Sequence, residues 1–137
     1  MKMHRVDTTI STEKLQESKE FYIKHLDFKL VYESDWYIEL VASQLPSVGI
    51  SFTLPEREEW MYFNGQGLVL SFEVDDVDEA CERLEKEGLT IYQKIQDKPW
   101  GERSFVVDDP NGVHLYIYKV IPPTPEYKAI YDSFKQD

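Results

Sequence analysis

The chain has 137 residues, a size suited to one compact domain that buries roughly two-thirds of its unfolded surface without disulfide support. Its 26 acidic residues against 15 basic ones give a formal net charge of -11, which excludes general nucleic-acid binding and attraction to an anionic membrane surface. The lone cysteine, Cys81, excludes an intramolecular disulfide and a multi-cysteine zinc site. No apolar run reaches the ~20 residues of a membrane span. The start, Met1-Lys2-Met3-His4-Arg5, has no apolar signal core, so a cytoplasmic location is expected. Against this acidity stands a high aromatic content of 14%, the surface type that stacks on planar or cationic groups.

Taken in chain order, Val6 to Ile10 reads as a strand of β-branched residues. Ser11 or Thr12 then caps a helix running to about His25, with Leu15, Tyr22 and Leu26, and Phe21 beside them, as its apolar stripe. Phe28–Glu33, Trp36–Val41 and Val48–Leu54 read as strands, the last two separated by a Ser/Gln/Pro loop. After a bridge over 55–67 the pattern starts again. Leu68–Val74 is a strand, and Asp76 with Glu79 opens a helix whose inward stripe is Val77, Ala80, Cys81 and Leu84. Gly88 ends it. Thr90–Ile95, Ser104–Val107 and Val113–Val120 complete the set, with Asp109-Pro110-Asn111-Gly112 as a turn. The order is β-α-β-β-β twice, an α+β fold of two modules at about 4–54 and 67–120. The stiff Ile121–Pro125 segment cannot continue a central strand. Residues 126–137 can form a short helix with Tyr127, Ile130, Tyr131 and Phe134 on one face, packed on the body or on a second subunit.

Three stretches carry a family resemblance. They are Leu15 to Phe21-Tyr22 followed by Leu26-Asp27-Phe28; Phe72 to Asp78 leading to Leu84 and Gly88; and Asp109-Pro110-Asn111-Gly112 followed by Leu115. In this order and spacing the chain resembles the vicinal oxygen chelate superfamily of glyoxalase I, extradiol dioxygenases and the fosfomycin- and bleomycin-resistance proteins. The resemblance implies that two paired modules of curled mixed sheet form a cup. It also implies a homodimer, often with modules exchanged between chains.

Metal-using members place His, Glu or Gln on the cup side of the first and last strands of each module. Strand alternation, with apolar residues facing the helices, carries those positions onto this chain. The first falls on Arg5 or Asp7 and the second on Ser51. The third falls on Val69, with Ser71 and Glu73 on the same side, and the last on Tyr116. A divalent ion wants at least three protein ligands. The four matched positions offer one carboxylate, Asp7, and Glu73 enters only with a change of register, so no metal cofactor is expected.

Pro99-Trp100-Gly101, Arg103-Ser104-Phe105 and the Asp-Pro-Asn-Gly turn resemble the same region of bleomycin-resistance proteins, metal-free binders of a large cationic, planar-armed drug. That resemblance implies small-molecule binding around Arg5, Asp7, Ser51, Trp60, Val69, Ser71, Glu73, Trp100, Ser104 and Tyr116. Trp60, Tyr62 and Phe63 lie in the bridge and either touch ligand, close the barrel mouth or join subunits. Tyr116 either presents its hydroxyl to the ligand or fills the space of an absent ion. His4, His25 and His114 are expected to be solvated or packed. The competing expectations are a metal-dependent lyase or dioxygenase with displaced ligands, and a structural module with no ligand.

Overall fold

A computed structural model describes residues 1–55 and 62–135. The chain divides into two compact units, Met1–Gly67 with Asp109–Val113, and Leu68–Asp108 with His114–Asp137.

In the first unit β1 (Val6–Ser11) leads into α1 (Leu15–Leu26), then β2 (Phe28–Glu33), β3 (Tyr37–Ala42) and β4 (Leu45–Thr53). The sheet order is β1-β4-β3-β2; β1 runs parallel to β4 and the other pairs are antiparallel. Helix α1 supplies the crossover that a parallel pair requires. It starts at Leu15, later than the expected Ser11 or Thr12 cap: β1 continues through Ser11, and the Thr12 hydroxyl accepts the Lys14 N–H at 3.0 Å. Its end is marked by Asp27 at φ 56°, a left-handed position that a short polar side chain tolerates. The buried stripe is Leu15, Ser18, Tyr22 and His25, whereas Leu26 is only half-buried. The Tyr22 ring packs on Phe28 and Phe52, and Ile10, Ile38, Leu40 and Ile50 of the same unit are buried as well. Each such apolar side chain contributes about 2 kcal/mol of burial free energy. The expected Ser/Gln/Pro loop shrinks to a tight Ser43-Gln44 turn, because β4 already begins at Leu45.

Residues 109–113 complete this unit. Asp109 accepts the Tyr22 hydroxyl at 2.8 Å and the backbone N–H groups of Asn111 and Val113 at 2.8 and 2.9 Å. The Asn111 side chain accepts from Thr12 at 2.6 Å and donates to Ser18 at 2.9 Å. Val113 is fully buried. The Asp-Pro-Asn-Gly turn is therefore also a clasp on α1.

The second unit runs β5 (Val69–Glu73), α2 (Val77–Lys86), β6 (Ile91–Lys98), β7 (Glu102–Asp108), β8 (His114–Val120) and α3 (Pro125–Ser133), with sheet order β5-β8-β7-β6. Asp76 caps α2 as expected, its carboxylate accepting the Glu79 N–H at 3.0 Å. Gly88 at φ 95° ends the helix, and the Leu89 N–H returns to the Leu84 carbonyl at 3.1 Å. Val77 and Leu84 pack into a core with Phe105, Val107, Leu115 and Ile117. Arg103 forks between Asp78 of α2 at 2.8 Å and Asp97 of β6 at 2.9 Å, tying helix to sheet. Both β6 and β7 are longer than their sequence patterns indicate, since the charged ends Gln96–Lys98 and Glu102–Arg103 pair with one another. Among the described residues no helix is long and apolar enough to cross a membrane.

Candidate functional site

In the second unit α2 packs against β6, β7 and β8, so alternation sends every other strand residue to the far side of the sheet. On β5 this far side carries the exposed Val69, Ser71 and Glu73, alternating with the half-buried Leu70 and Phe72, as the sequence pattern requires. Their partners on β8 are His114, Tyr116 and Tyr118. Val106 and Ser104 of β7 pair with Tyr116 and Tyr118 in turn. Glu102 shares their face and pairs with Lys98 of β6. One sheet face thus gathers two tyrosines, two glutamates, a lysine and a histidine.

Its densest point is Glu102. The Trp100 indole N–H donates to Glu102 Oε1 at 2.7 Å, and the Tyr116 hydroxyl donates to the same oxygen at 2.8 Å. Two donors on one oxygen fix that carboxylate and leave Oε2 without a hydrogen bond among the described residues. The Lys98 amine lies over the Trp100 ring, 5.6 Å from its centroid. This is the geometry of a cation–π contact. Burial pushes the Tyr116 phenol above its ordinary range; Glu102 adds to the rise, while Ser104 and Trp100 oppose it. Burial also raises Tyr118, followed by the carboxylates of Glu73 and Glu102. Both phenols therefore stay protonated and able to donate near neutral pH. The Ser104 hydroxyl is buried and makes no hydrogen bond of normal geometry, although it lies near enough to Tyr116 to act on its phenol.

At the other end of the face, His114 Nδ1 contacts Asp108 and the imidazole stacks on Tyr92 with ring centroids 4.8 Å apart. Ordered loop geometry sets Trp100 in place: Gly101 takes φ 105°, and a Cβ there would stand 3.0 Å from the Ile121 carbonyl.

The first unit has its own far face. Arg5 Nη2 binds Asp7 Oδ1 at 2.7 Å and lies 3.7 Å from Glu39. The hydrogen bond that the guanidinium donates to Asp7 is the leading reason that Arg5 is held above its ordinary range. The Asp7 carboxylate folds over Gly49, where a Cβ would come within 1.9 Å of Oδ1. Ser51 is buried, and its hydroxyl accepts from Tyr37 at 2.9 Å. Tyr37 in turn lies against Tyr32 and Trp36, both half-exposed. Trp60 lies outside the described residues. Tyr62 is exposed, its phenol raised by burial and by Glu13. Phe63 is tied by its N–H to the Ser11 carbonyl at 2.8 Å.

Of the ten residues singled out in the sequence, Val69, Ser71, Glu73, Ser104 and Tyr116 share one sheet face in the second unit, and Trp100 joins them through Glu102. Arg5, Asp7 and Ser51 belong to the first unit, where the first two pair with each other. Glu102, Lys98 and Tyr118 escaped the sequence reading. Glu102 was recoverable: it stands an even number of residues before Ser104, but a β7 begun at Ser104 leaves it in the loop.

The positions that the resemblance matches to metal ligands carry a poor donor set for an ion. Asp7 is neutralised by Arg5, the Ser51 hydroxyl is taken by Tyr37, Val69 offers no donor, and the Tyr116 phenol is raised rather than ionised. Among the described residues no three of His, Cys, Asp and Glu gather closely enough to hold an ion.

Two β-α-β-β-β units in one chain, each a four-stranded mixed sheet with its helix on one side, define a paired-module α+β protein. The chain belongs to the Glyoxalase/Bleomycin resistance protein/Dioxygenase superfamily, whose sequence model matches residues 4–117. No curated protein matches it in sequence. Among solved structures it is similar to TnmS3, an antibiotic binding protein from Streptomyces sp. CB03234, with 19% identity, a TM-score of 0.70 and coverage of 85% of this chain and 95% of that one. A superfamily member from Sphaerobacter thermophilus DSM 20745 gives 22% identity and a TM-score of 0.69, covering 84% and 95%. A glyoxalase/bleomycin resistance protein/dioxygenase from Nocardioides gives 21% and 0.71, covering 91% and 88%. At these identities the likeness establishes the fold.

Proposed function

We propose that the protein is a metal-free binder of a small molecule that is both aromatic and cationic, taken up beside Trp100, Tyr116 and Glu102. The observation that carries this reading is the double hydrogen bond on Glu102 Oε1, which fixes a carboxylate between an indole and a phenol. An aromatic arm stacks on Trp100 while its charged group reaches Oε2, with Glu73 adding negative potential on the same face. Lys98 already occupies the cation's place over the ring and is displaced on binding. The fold shared with an antibiotic binding protein agrees with a sequestering role, and the poor donor set at the former ligand positions agrees with function without metal. We further read the protein as cytoplasmic, and as a homodimer in view of the exposed apolar side chains Val31, Tyr32 and Trp36 of the first unit.

Tryptophan emission titrated with planar cations, such as acridinium dyes and aromatic amidines, tests the site. Quenching is expected to saturate, to persist in a chelator, and to weaken roughly tenfold in Glu102→Gln, the scale of one charge-assisted contact. Binding that vanishes in chelator, or is indifferent to Glu102→Gln, refutes the reading.

A further inference from the structure

The family match ends at residue 117, and α3 lies beyond it. None of the residues of α3 is buried, so it adds little to the core of its unit. Its polar contacts instead converge on one loop. The Tyr131 hydroxyl donates to the Trp100 carbonyl at 2.7 Å, and the Tyr127 ring meets the indole edge-on at 65°, with centroids 6.4 Å apart. The segment leading into the helix does the same: the Thr124 N–H donates to the Pro99 carbonyl at 2.9 Å, and the Ile121 N–H to the Gly101 carbonyl at 2.9 Å. Three consecutive residues, Pro99, Trp100 and Gly101, are thereby held by a strap made rigid by Pro122, Pro123 and Pro125. Gly101 is required because a side chain there would strike the strap itself, at Ile121 and at Pro123 Cβ 3.2 Å away.

We propose that the C-terminal helix is a positioning element for the Trp100 indole, with Tyr131 fixing its backbone and Tyr127 its ring. Glu102 holds the indole N–H from one side, and Tyr127 limits its rotation from another. An edge-to-face neighbour restricts how far the indole can turn, so the helix sets the orientation in which a planar group stacks on it. This deepens the binding reading, because it concerns the same indole, yet its test needs no ligand.

With Trp36 and Trp60 replaced by Phe, Trp100 becomes the sole tryptophan, and excitation at the red edge of the indole band avoids the nine tyrosines. Its anisotropy and its quenching by acrylamide are then compared in the otherwise intact chain and in Tyr131→Phe, Tyr127→Leu and Tyr127→Phe. Loss of one hydrogen bond is worth about a fivefold change in the ordered population. Tyr131→Phe and Tyr127→Leu are therefore expected to lower anisotropy and raise quenching, while Tyr127→Phe keeps the ring edge and restores both. Circular dichroism should show the fold unchanged in all three. Anisotropy and quenching unmoved by both Tyr131→Phe and Tyr127→Leu would overturn the role of α3. Failure of every cation to bind the intact chain would overturn the ligand reading instead.

Discussion

Tyr22 joins the apolar and polar halves of the first unit. Its ring is buried against Phe28 and Phe52, and its hydroxyl binds Asp109, eighty-seven positions along the chain. Burial, then the Asp109 charge, raises this phenol far above its ordinary value of 10.0. The folded state thus keeps a proton that the unfolded chain releases near pH 10. The stabilisation is complete below that pH and is lost as pH rises above it. Tyr22→Phe should cost about 1–3 kcal/mol at neutral pH by removing a bond to a carboxylate. It should also flatten the alkaline fall in stability, and urea unfolding at pH 7, 10 and 11 measures both. An alkaline slope equal to that of the unaltered chain would refute the assignment. At this scale the sequence revealed Tyr22 as a core residue but not its partner, since an 87-residue separation leaves no local signal. Tyr116 was legible from the family's spacing after the Asp-Pro-Asn-Gly turn, and Tyr118, two residues on in the same strand, lay within reach of alternation; Glu102 needed the true start of β7.

Among the elements, those with chemical punctuation show their ends in the sequence. Asp76 and Gly88 bound α2, and Phe28–Glu33 is a strand end to end. Errors gathered where charged or polar residues extend strands, at Leu45–Ser47, Gln96–Lys98 and Glu102–Arg103. Those residues have no strand pattern of their own and are ordered by the partner strand. Glycine positions offer a test of how elements meet. Gly88 and Gly101 both have positive φ, but nothing lies within 4 Å of a Cβ at Gly88, whereas the strap crowds Gly101. Gly88→Ala should therefore cost about 1–2 kcal/mol of backbone strain alone. Gly101→Ala should cost more and should also speed amide exchange at Ile121 and Thr124, whose acceptors flank the site. Equal losses in urea, with exchange at those amides unchanged, would show that the strap yields freely.

For the molecule as a whole, the charge of -11 is spread over helix surfaces as well as sheet faces, so it bears on solubility more than on ligand choice. The carboxylates that the proposed binding uses are few and local. Glu73 and Glu102 stand on one face, and Asp7 is spent on Arg5. Raising salt from low to physiological strength should then weaken binding of a monocation only modestly, because a part-buried contact is screened less than a diffuse surface field. A steep salt dependence in the same fluorescence titration would return the credit to net charge.

The clasp of residues 109–113 on α1 also has a meaning in time. Strands β1 to β4 leave the ribosome long before the turn that completes their core. Until Val113 arrives, Tyr22 has no acceptor at Asp109 and Thr12 and Ser18 have no Asn111. The nascent first half therefore waits, compact but unfinished, for a five-residue key carried by the second. In a chain stalled at residue 67 the first unit should remain sensitive to protease, and in one extended past the end of β8 at Val120 and clear of the exit tunnel it should not.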